Sequence, residues 1–285
     1  MDLAKAKSII IVMLVAFNLF LLFNNLTYFK GQGVQKETIE NAEKILNARG
    51  ITLENNISTY SKETHRLQYG NGTLDKAAMA EKLLGDSYVI AQDGKVFENA
   101  DKKLEFFSDT IFMFMDDKPS SKVDVGNIDN VGRVARAYLK DKDLSIDDYI
   151  VDLIQHNKDG SVTMTFIEKY HDFLVYDNYC IATMNANGIK QLEYGRRQIV
   201  GFSPKKLEDQ VDAYQVLLAH FTEDKELVIT NIDIGYKYLE DQSMDEIESL
   251  ELLPIWRVKI KDVPDPLYLG TPVGTEEPAA GLNAN

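Results

Sequence analysis

The side chains that most often carry catalysis or bind metals are few and scattered in this sequence. None of the four histidines has a second ligand at metal-site spacing; they are His65, His156, His171 and His220. Glu168 lies three residues before His171 at a strand end, where the two side chains are expected on opposite faces. The metalloprotease pattern H-E-x-x-H, the G-x-S-x-G turn and a glycine-rich phosphate loop are absent from the sequence. The sequence therefore predicts a protein that is not an enzyme and needs no cofactor.

One segment partly matches a calcium loop. Asp141, Asp143 and Ser145 occupy alternating positions, as the first ligands of an EF-hand loop do. Ile146 stands where that loop requires glycine, and Asp152 stands where it prefers a bidentate glutamate. A solvated turn is therefore favoured over a calcium site, and no metal ligand is assigned.

Cys180 is the only cysteine, so no intrachain disulfide can stabilise the fold. It lies in an apolar strand pattern, which favours a small buried hydrophobic residue over a reactive thiol. The folded part must therefore be stabilised by its own core.

An apolar run near the N-terminus predicts a membrane anchor. Residues 9–23 are interrupted only by Asn18, and extension to residue 29 gives the ~20 residues that cross a ~30 Å hydrocarbon core. Lys5 and Lys7 precede the run and keep the N-terminus inside. A cleaved signal peptide is the alternative, but bulky residues follow the run where its cleavage site needs small ones. We expect residues 1–30 to be a cytoplasmic stub and one transmembrane helix, with the bulk of the chain extracytoplasmic on the cell membrane.

Two amides give this helix a possible contact surface. Asn18 and Asn25 are seven residues apart and share one helix face. Hydrogen bonds between helices from such groups are worth about 0.6–2 kcal/mol in a bilayer. The sequence thus predicts a transmembrane partner contact at Asn18 and Asn25; the alternative is an interfacial Asn25 and a tolerated Asn18.

The charge of the chain restricts its partners. The net charge is −14, and removal of Asp2, Lys5 and Lys7 leaves −15 on the outer part. Nucleic-acid binding requires a basic face, so it is excluded, as is broad docking on anionic lipid. A soluble extracellular surface is the favoured explanation of the acidity.

Residues 36–117 are predicted to form a first extracytoplasmic lobe. Its signals are apolar residues at helical spacing, Asp75 as a helix cap, Gly50 and Gly85 as helix ends, and the turn Asp93-Gly94. The predicted elements are helices 37–49 and 75–84, the hairpin 87–98 and one buried strand, 104–115. The polar segment 118–126 is predicted to be a hinge.

Residues 127–263 are predicted to form a second lobe. An amphipathic helix at 127–141 precedes hairpins across Asp159-Gly160 and Asn187-Gly188. Ser203 as N-cap and Pro204 at the first helical position predict another helix there. Strands follow at 227–238 and 252–261, and residues 264–285 are predicted to be a disordered tail. Hairpins dominate, so the predicted class is α+β, with antiparallel sheets and packed helices in two lobes.

Short segments carry a resemblance to a known family; they are residues 18–21, 42–51, 234–236 and 253–258. Their order resembles YycI proteins, accessory regulators encoded with the essential cell-wall two-component system (YycFG, or WalRK) of low-GC Gram-positive bacteria. The related YycH proteins share a similar C-terminal region. The chain departs from the family pattern at residues 264–268, which are proline-rich where the family has a final aromatic strand.

The resemblance implies a non-enzymatic regulator beside a membrane sensor histidine kinase of the WalK or YycG type, together with a YycH-like protein. It implies modulation of the kinase, with restraint as the favoured direction, and it carries over no catalytic residue. Trp256, the only tryptophan, is predicted to be a structural anchor, with Arg257 on the outer face of the same strand.

Two other functions stay open. One is an anchored cell-wall or peptide-binding module without a kinase partner. The other is an enzyme of unfamiliar type, which would require a cleft with converging histidine and carboxylate groups.

Overall fold

A computed structural model describes residues 13–14, 17–18, 36–55, 63–144, 146–207, 211–223, 226–238 and 250–270. This part of the chain is α+β, mainly sheet with four α-helices, which confirms the predicted class. The helices are α1 (Lys36–Ala48), α2 (Lys76–Leu84), α3 (Ile128–Asp141) and α4 (Ala213–His220). The strands are β1 (Ile51–Leu53), β2 (His65–Tyr69), β3 (Val89–Ala91), β4 (Val96–Glu98), β5 (Lys102–Phe106), β6 (Ile111–Asp116), β7 (Tyr149–His156), β8 (Val162–Tyr170), β9 (Phe173–Asn185), β10 (Gly188–Gly195), β11 (Ile199–Lys206), β12 (Leu227–Tyr236), β13 (Leu250–Leu252), β14 (Pro254–Ile260) and β15 (Leu267–Gly270).

The described residues form two compact units. The first takes its residues from Met1–Glu63, Asp209–Asp233 and Trp256–Asn285, and the second from Thr64–Glu208 and Ile234–Ile255. These units are divided differently from the predicted lobes: β6 and β10, which were assigned to different lobes, pair within the second unit.

The first unit places α1 and α4 beside a small sheet. Helix α1 buries Ala42 and Leu46 and ends at Gly50, whose φ of 80° suits glycine. Strand β1 pairs in parallel with β12, and β14 and β15 follow on the other side of β12. The Arg49 guanidinium donates to the Phe221 carbonyl oxygen at 2.6 Å and to the Leu218 carbonyl oxygen at 3.3 Å. A cation there satisfies carbonyls at the C-terminal end of α4.

The second unit contains a large antiparallel sheet in the strand order β7-β8-β9-β10-β6-β5-β4-β3. A smaller sheet has the order β11-β2-β13. The end of β12 joins this unit, where Gly235 and Tyr236 pair in parallel with Leu174 and Val175 of β9.

The core of the second unit lies between the large sheet and helices α2 and α3. Helix α3 contributes Val131, Ala135 and Leu139 on one stripe, as its spacing predicts. The sheet contributes aromatic and non-aromatic residues in similar numbers, and Phe112, Phe114 and Phe166 are among the aromatic ones. This packing fixes the register of β8 to β10, the strands that carry the site described below.

Turn and cap signals were good guides to the local structure. The hairpins β3–β4, β7–β8 and β9–β10 are confirmed at the predicted turns. Asp75 caps α2 by accepting from the Ala78 amide at 3.1 Å, and Asn127 caps α3 in the same way. Each of these signals acts within a few residues, so no distant contact is needed to decide it.

Two predicted elements were wrong. The single strand at 104–115 is two strands, β5 and β6, which form a hairpin through the exposed segment 107–110. The helix predicted from Ser203 is β11, an edge strand paired with β2, where proline is tolerated. The helix begins instead at Ala213, with a capping box between Asp212 and Gln215.

The structure describes more of the C-terminal end of the chain than of the N-terminal end. Strand β15 lies inside the predicted tail and buries Leu269, so the chain has regular structure as far as Gly270. Most of the predicted anchor lies outside the described residues; Met13, Leu14, Phe17 and Asn18 have helical backbone. Within the ranges that the structure describes, no helix combines the length and apolarity needed to cross a bilayer.

Candidate functional site

A cleft of about 380 Å³, lined by both apolar and charged groups, opens in the second unit. Its walls come from the loop 72–74, from Asp148 before β7, from Glu168 and Tyr170 at the end of β8, and from the segment 196–199 between β10 and β11. Charged groups of both signs therefore face one small volume, positioned by strands rather than by long loops.

Glu168 is the most buried charged residue of this wall, with 9% of its surface exposed. Its Oε2 accepts a 2.6 Å hydrogen bond from Nδ2 of Asn178, which is completely buried. No other donor among the described residues reaches the carboxylate. A carboxylate so far withdrawn from water normally requires a cation or several donors. Arg196 attracts Glu168 without forming an ion pair, so one carboxylate oxygen keeps the capacity to accept from a ligand.

Asn178 also fixes the opposite wall of the cleft. Its Nδ2 donates to the Arg197 carbonyl oxygen at 3.0 Å, and its Oδ1 accepts from the Arg197 amide at 2.6 Å. The side-chain amide thereby pairs with the peptide groups of Arg197 as a neighbouring strand would. Asn178 thus connects Glu168 by hydrogen bonds to the chain segment that contains Arg196 and Arg197.

An irregularity in β9 makes this arrangement possible. The β8–β9 register jumps from Ile167–Tyr179 to Glu168–Val175, so Tyr176, Asp177 and Asn178 have no β8 partner. Bulges of this kind redirect side chains and are frequent beside functional sites. Here the unpaired stretch supplies both Asp177 and Asn178.

Asp177 organises the aromatic side of the site. Its Oδ2 accepts hydrogen bonds from the Tyr69 hydroxyl at 3.2 Å and from the Tyr238 amide at 2.6 Å. The Arg197 guanidinium lies 5.1 Å from the Tyr238 ring centroid and 6.0 Å from that of Tyr69. Cation–π contacts at these distances hold the side chain of Arg197 against the two rings.

The electrostatics of the site follow from burial. Burial raises the pKa of the Asp177 carboxyl above its ordinary value, and the Tyr238 amide and Lys237 oppose that rise only in part. Burial also raises the pKa of Tyr69, Tyr149 and Tyr194, so these phenols stay neutral at physiological pH. Tyr149 and Tyr194 therefore add no negative charge to offset Arg196, with which both interact.

Arg196 and Arg197 both line the cleft. Arg196 bonds to the Tyr194 side chain and is attracted by Glu168, and Arg197 is attracted by Asp177. Neither guanidinium forms an ion pair with a carboxylate of the described residues. Guanidinium donors and a buried carboxylate around one cleft suit a ligand that carries both charges. The site offers binding rather than a nucleophile–base pair, and no group of metal-ligating side chains occurs among the described residues.

The structure places Trp256 in the core of the first unit. It is 1% exposed, and its indole N–H donates to the Val211 carbonyl oxygen at 2.9 Å. Arg257 was predicted on the outer face of its strand, and this is wrong, because it is only 2% exposed. Its guanidinium donates to both carboxylate oxygens of Asp233 on neighbouring β12, at 3.0 and 2.7 Å. This bidentate pair compensates the buried charge.

Asn18 has helical backbone, and its Nδ2 donates to the Leu14 carbonyl oxygen at 2.9 Å. An amide has further donor and acceptor capacity beyond this one bond. Asn25 lies outside the described residues. The partner contact at Asn18 and Asn25 stays a prediction.

The remaining chemically suggestive residues do not converge. Cys180 is completely buried, which confirms its predicted structural role, and burial raises the pKa of its thiol. In the calcium-like segment Asp143 pairs with Lys82 at 2.8 Å, and Asp141 pairs with Lys142 at 3.2 Å. Ser145 lies outside the described residues.

Sequence reasoning considered Glu168 only as a partner of His171, and it missed Asn178, Arg196 and Arg197. A signal for Glu168 was present: Val162, Met164 and Phe166 alternate on the buried face of β8, and position 168 continues that series. A carboxylate at an inward position should have been singled out. Asn178 and Arg197 gave no such signal, because their contact depends on the irregular stretch of β9.

A second surface feature is the exposed edge strand β7. Among the described strands it pairs with β8 alone, and Ile150, Val151, Leu153 and Ile154 are 38–49% exposed. Lysine and proline, which usually protect such edges from pairing with other chains, are absent from β7. The strand therefore offers an apolar surface and unpaired backbone groups.

Comparisons with known proteins give a family and a similar solved structure. The family model described as "YycI protein" matches residues 30–265. A crystal structure of YycH from Bacillus subtilis is similar, with 15% sequence identity and a TM-score of 0.49. The match covers 84% of this chain and 63% of that one, so this chain spans less than two thirds of its length. No protein of curated function matches the sequence.

Proposed function

Because the chain belongs to the YycI family, we propose that it is a membrane-anchored, non-enzymatic regulator that modulates, in the direction of restraint, a sensor histidine kinase of a cell-wall two-component system. The observation that carries this proposal is the family match over residues 30–265. The proposed partners are a kinase of the WalK or YycG type and a YycH-like protein. The anchor is the apolar run of residues 9–29, with the N-terminus cytoplasmic and the bulk of the protein outside.

The exposed edge of β7 supports a contact role for the folded part. An eight-residue strand with four exposed aliphatic side chains can bind another protein by strand addition and by apolar packing. We assign this edge to the extracytoplasmic part of the kinase.

The test for this surface is a lysine substitution at its centre. Leu153→Lys introduces a charge that must be desolvated in a complex, and we expect it to reduce copurification of the full-length chain with the kinase at least fivefold. Val200→Lys is the matched control, because Val200 is exposed at 61% on β11 of the other sheet. Equal loss in both variants, or in neither, would contradict the assignment to β7.

The membrane half of the proposal has a separate test. Crosslinkers placed on the Asn18 face of the anchor should reach the transmembrane helices of the kinase. Replacement of Asn18 and Asn25 together by leucine preserves apolarity and removes the amides, so crosslinking should fall. Unchanged association in that double variant would exclude a role of these amides.

A cell-wall or peptide-binding module without a kinase partner is the second candidate, and the cleft beside Glu168 and the two arginines favours it. Cosedimentation of the purified full-length chain in detergent with isolated cell-wall fragments, in the absence of the kinase, would support this function.

A further inference from the structure

We propose that the cleft of the second unit binds a small zwitterion: an amino acid or a peptide end that carries both an ammonium group and a carboxylate. The inference goes beyond modulation of the kinase and does not depend on it. It rests on charge, burial and geometry at Glu168, Arg196 and Arg197.

The first step concerns the ammonium group. Oε2 of Glu168 is occupied by Asn178, while Oε1 has no hydrogen-bond donor among the described residues. Oε1 is also not one of the fully enclosed atoms without a partner; the only such side-chain atom in the described residues is the Tyr149 hydroxyl. The oxygen therefore faces the cleft, where an ammonium group would donate to it and add to the attraction that Arg196 exerts on Glu168.

The second step concerns the carboxylate. Arg196 is exposed at the cleft, and Arg197 is held against Tyr69 and Tyr238. Neither has an ion-pair partner in the described part of the chain. A guanidinium fork matches a carboxylate with two parallel hydrogen bonds, which a lysine could not reproduce.

The third step concerns preorganisation. Asn178 bonds to Glu168 and to both peptide groups of Arg197, so the acidic and basic walls keep a fixed spacing before a ligand arrives. Such preorganisation lowers the entropy that binding must otherwise overcome.

The volume of the cleft and the charges on its walls disfavour other classes of ligand. A volume of about 380 Å³ lies near the lower end of ligand pockets, which suits one or two amino-acid residues. Glu168 and Asp148 on the same walls disfavour a polyanion such as a nucleotide. Two carboxylates beside two guanidinium groups also make a poor cation site, because the arginines repel a metal ion.

The test is calorimetry of the full-length chain in detergent with the dipeptide alanyl-alanine as the probe. N-acetyl-alanyl-alanine lacks the ammonium group, alanyl-alanine amide lacks the carboxylate, and inorganic phosphate tests for a simple anion site. We expect the dipeptide to bind and each blocked analogue to bind at least tenfold more weakly. Phosphate should bind no better than the analogues.

Variants separate this cleft from other surfaces. Arg196→Gln changes an exposed side chain, so it should leave the fold intact and weaken dipeptide binding at least tenfold. Glu168→Gln keeps an acceptor for Asn178, and it should selectively reduce the advantage of the free ammonium group. Arg133→Gln, an exposed arginine on α3, is the matched control and should bind as the native chain does.

Three outcomes would overturn the proposal. The first is that the dipeptide does not bind at concentrations up to ~10 mM. The second is that the blocked analogues bind as tightly as the dipeptide. The third is that Arg196→Gln leaves dipeptide binding unchanged. Loss of kinase copurification in Leu153→Lys with intact dipeptide binding would separate this proposal from the regulatory one.

Discussion

At the scale of single residues, the Asn178 side chain supplies the backbone hydrogen bonds that a neighbouring strand normally supplies. It is completely buried, and its side-chain amide forms three hydrogen bonds, one to the Glu168 carboxylate and two to the backbone N–H and C=O of Arg197. Such a residue specifies geometry more than it adds net stability, because each bond replaces one to water in the unfolded chain. Its removal is costly because three buried groups then lose their partner.

We expect Asn178→Leu to lower the free energy of unfolding by about 2–4 kcal/mol, because unpaired buried polar groups cost about 1–3 kcal/mol each and the site can relax in part. Denaturant unfolding followed by far-UV circular dichroism measures the change. Gln155→Leu replaces an exposed amide on β7 and should change stability by less than about 0.5 kcal/mol. A similar small effect at Asn178 would mean that water satisfies these groups.

Asp177 predicts a particular pH dependence. Its folded-state pKa is raised above the ordinary value of 3.8, so the folded state binds more protons than the unfolded state between those two values. Ionisation of Asp177 therefore costs stability as the pH rises through that window. Asp177→Asn keeps an acceptor for Tyr69 and Tyr238 but cannot ionise.

The stability of Asp177→Asn relative to the native chain should therefore improve as the pH rises above the ordinary carboxyl pKa of 3.8. Unfolding curves at a series of pH values measure it. Asp86→Asn removes the charge of an exposed acid and is the control for the loss of one carboxyl group. Parallel profiles for native and Asp177→Asn chains would show that the carboxyl titrates normally.

At the scale of elements, local signals predicted what local interactions decide. Asp93-Gly94, Asp159-Gly160 and Asn187-Gly188 each produced a hairpin, because the turn conformation is set by the two residues themselves. Ser203-Pro204 failed as a helix start because pairing with β2 is a long-range interaction that the local signal does not contain. The cleft could not be predicted for the same reason, because its walls come from four separate segments.

The junction of β12 and β9 leaves no room for a side chain at Gly235. A Cβ at that position would collide with the Leu174 carbonyl oxygen and contact the Tyr176 ring. We expect Gly235→Ala to lower the free energy of unfolding by about 1–3 kcal/mol, as overpacking in a rigid site does. Gly270→Ala is the control, because its Cβ would meet no atom within 4 Å. Equal thermal stability of the two variants would contradict this tight junction.

Strand β15 should contribute stability although it lies in a proline-rich segment. It pairs with β14 and buries Leu269. A chain that ends at residue 263 should lose about 1.5–3 kcal/mol relative to one that ends at residue 270, because a leucine side chain is no longer buried. Unfolding curves of the two truncated chains compare them directly. Identical curves would mean that the first unit is complete without β15.

At the scale of the whole molecule, fold class and family were predictable, whereas the division into units was not. Helix periodicity and turn dipeptides are enough for an α+β assignment. The units interleave three chain segments with two, because the end of the chain pairs with strands formed near its beginning. Residues 118–126, the predicted hinge, contain no local pattern that predicts this pairing of distant segments.

The proposed anchor gives a prediction for the whole chain. The full-length protein should remain in the membrane fraction after high-salt and alkaline washes, because about 20 apolar residues partition strongly into a bilayer. A chain that starts at residue 31 should be released, and its acidity should keep it off anionic vesicles. Substitution of residues 9–29 by a leucine-rich span should restore the membrane fraction. Release of the full-length chain by salt alone would contradict the anchor.

The composite construction of the first unit sets an order of events during biosynthesis. Arg49 closes its hydrogen bonds on Leu218 and Phe221, and β1 needs β12 as its pairing partner. Because synthesis begins at the N-terminus, α1 is made more than 160 residues before these partners. The second unit in turn needs residues 234–255, so both units are completed only after the C-terminal part of the chain has been made. A chain that stops before residue 227 lacks β12, the strand with which β1 pairs.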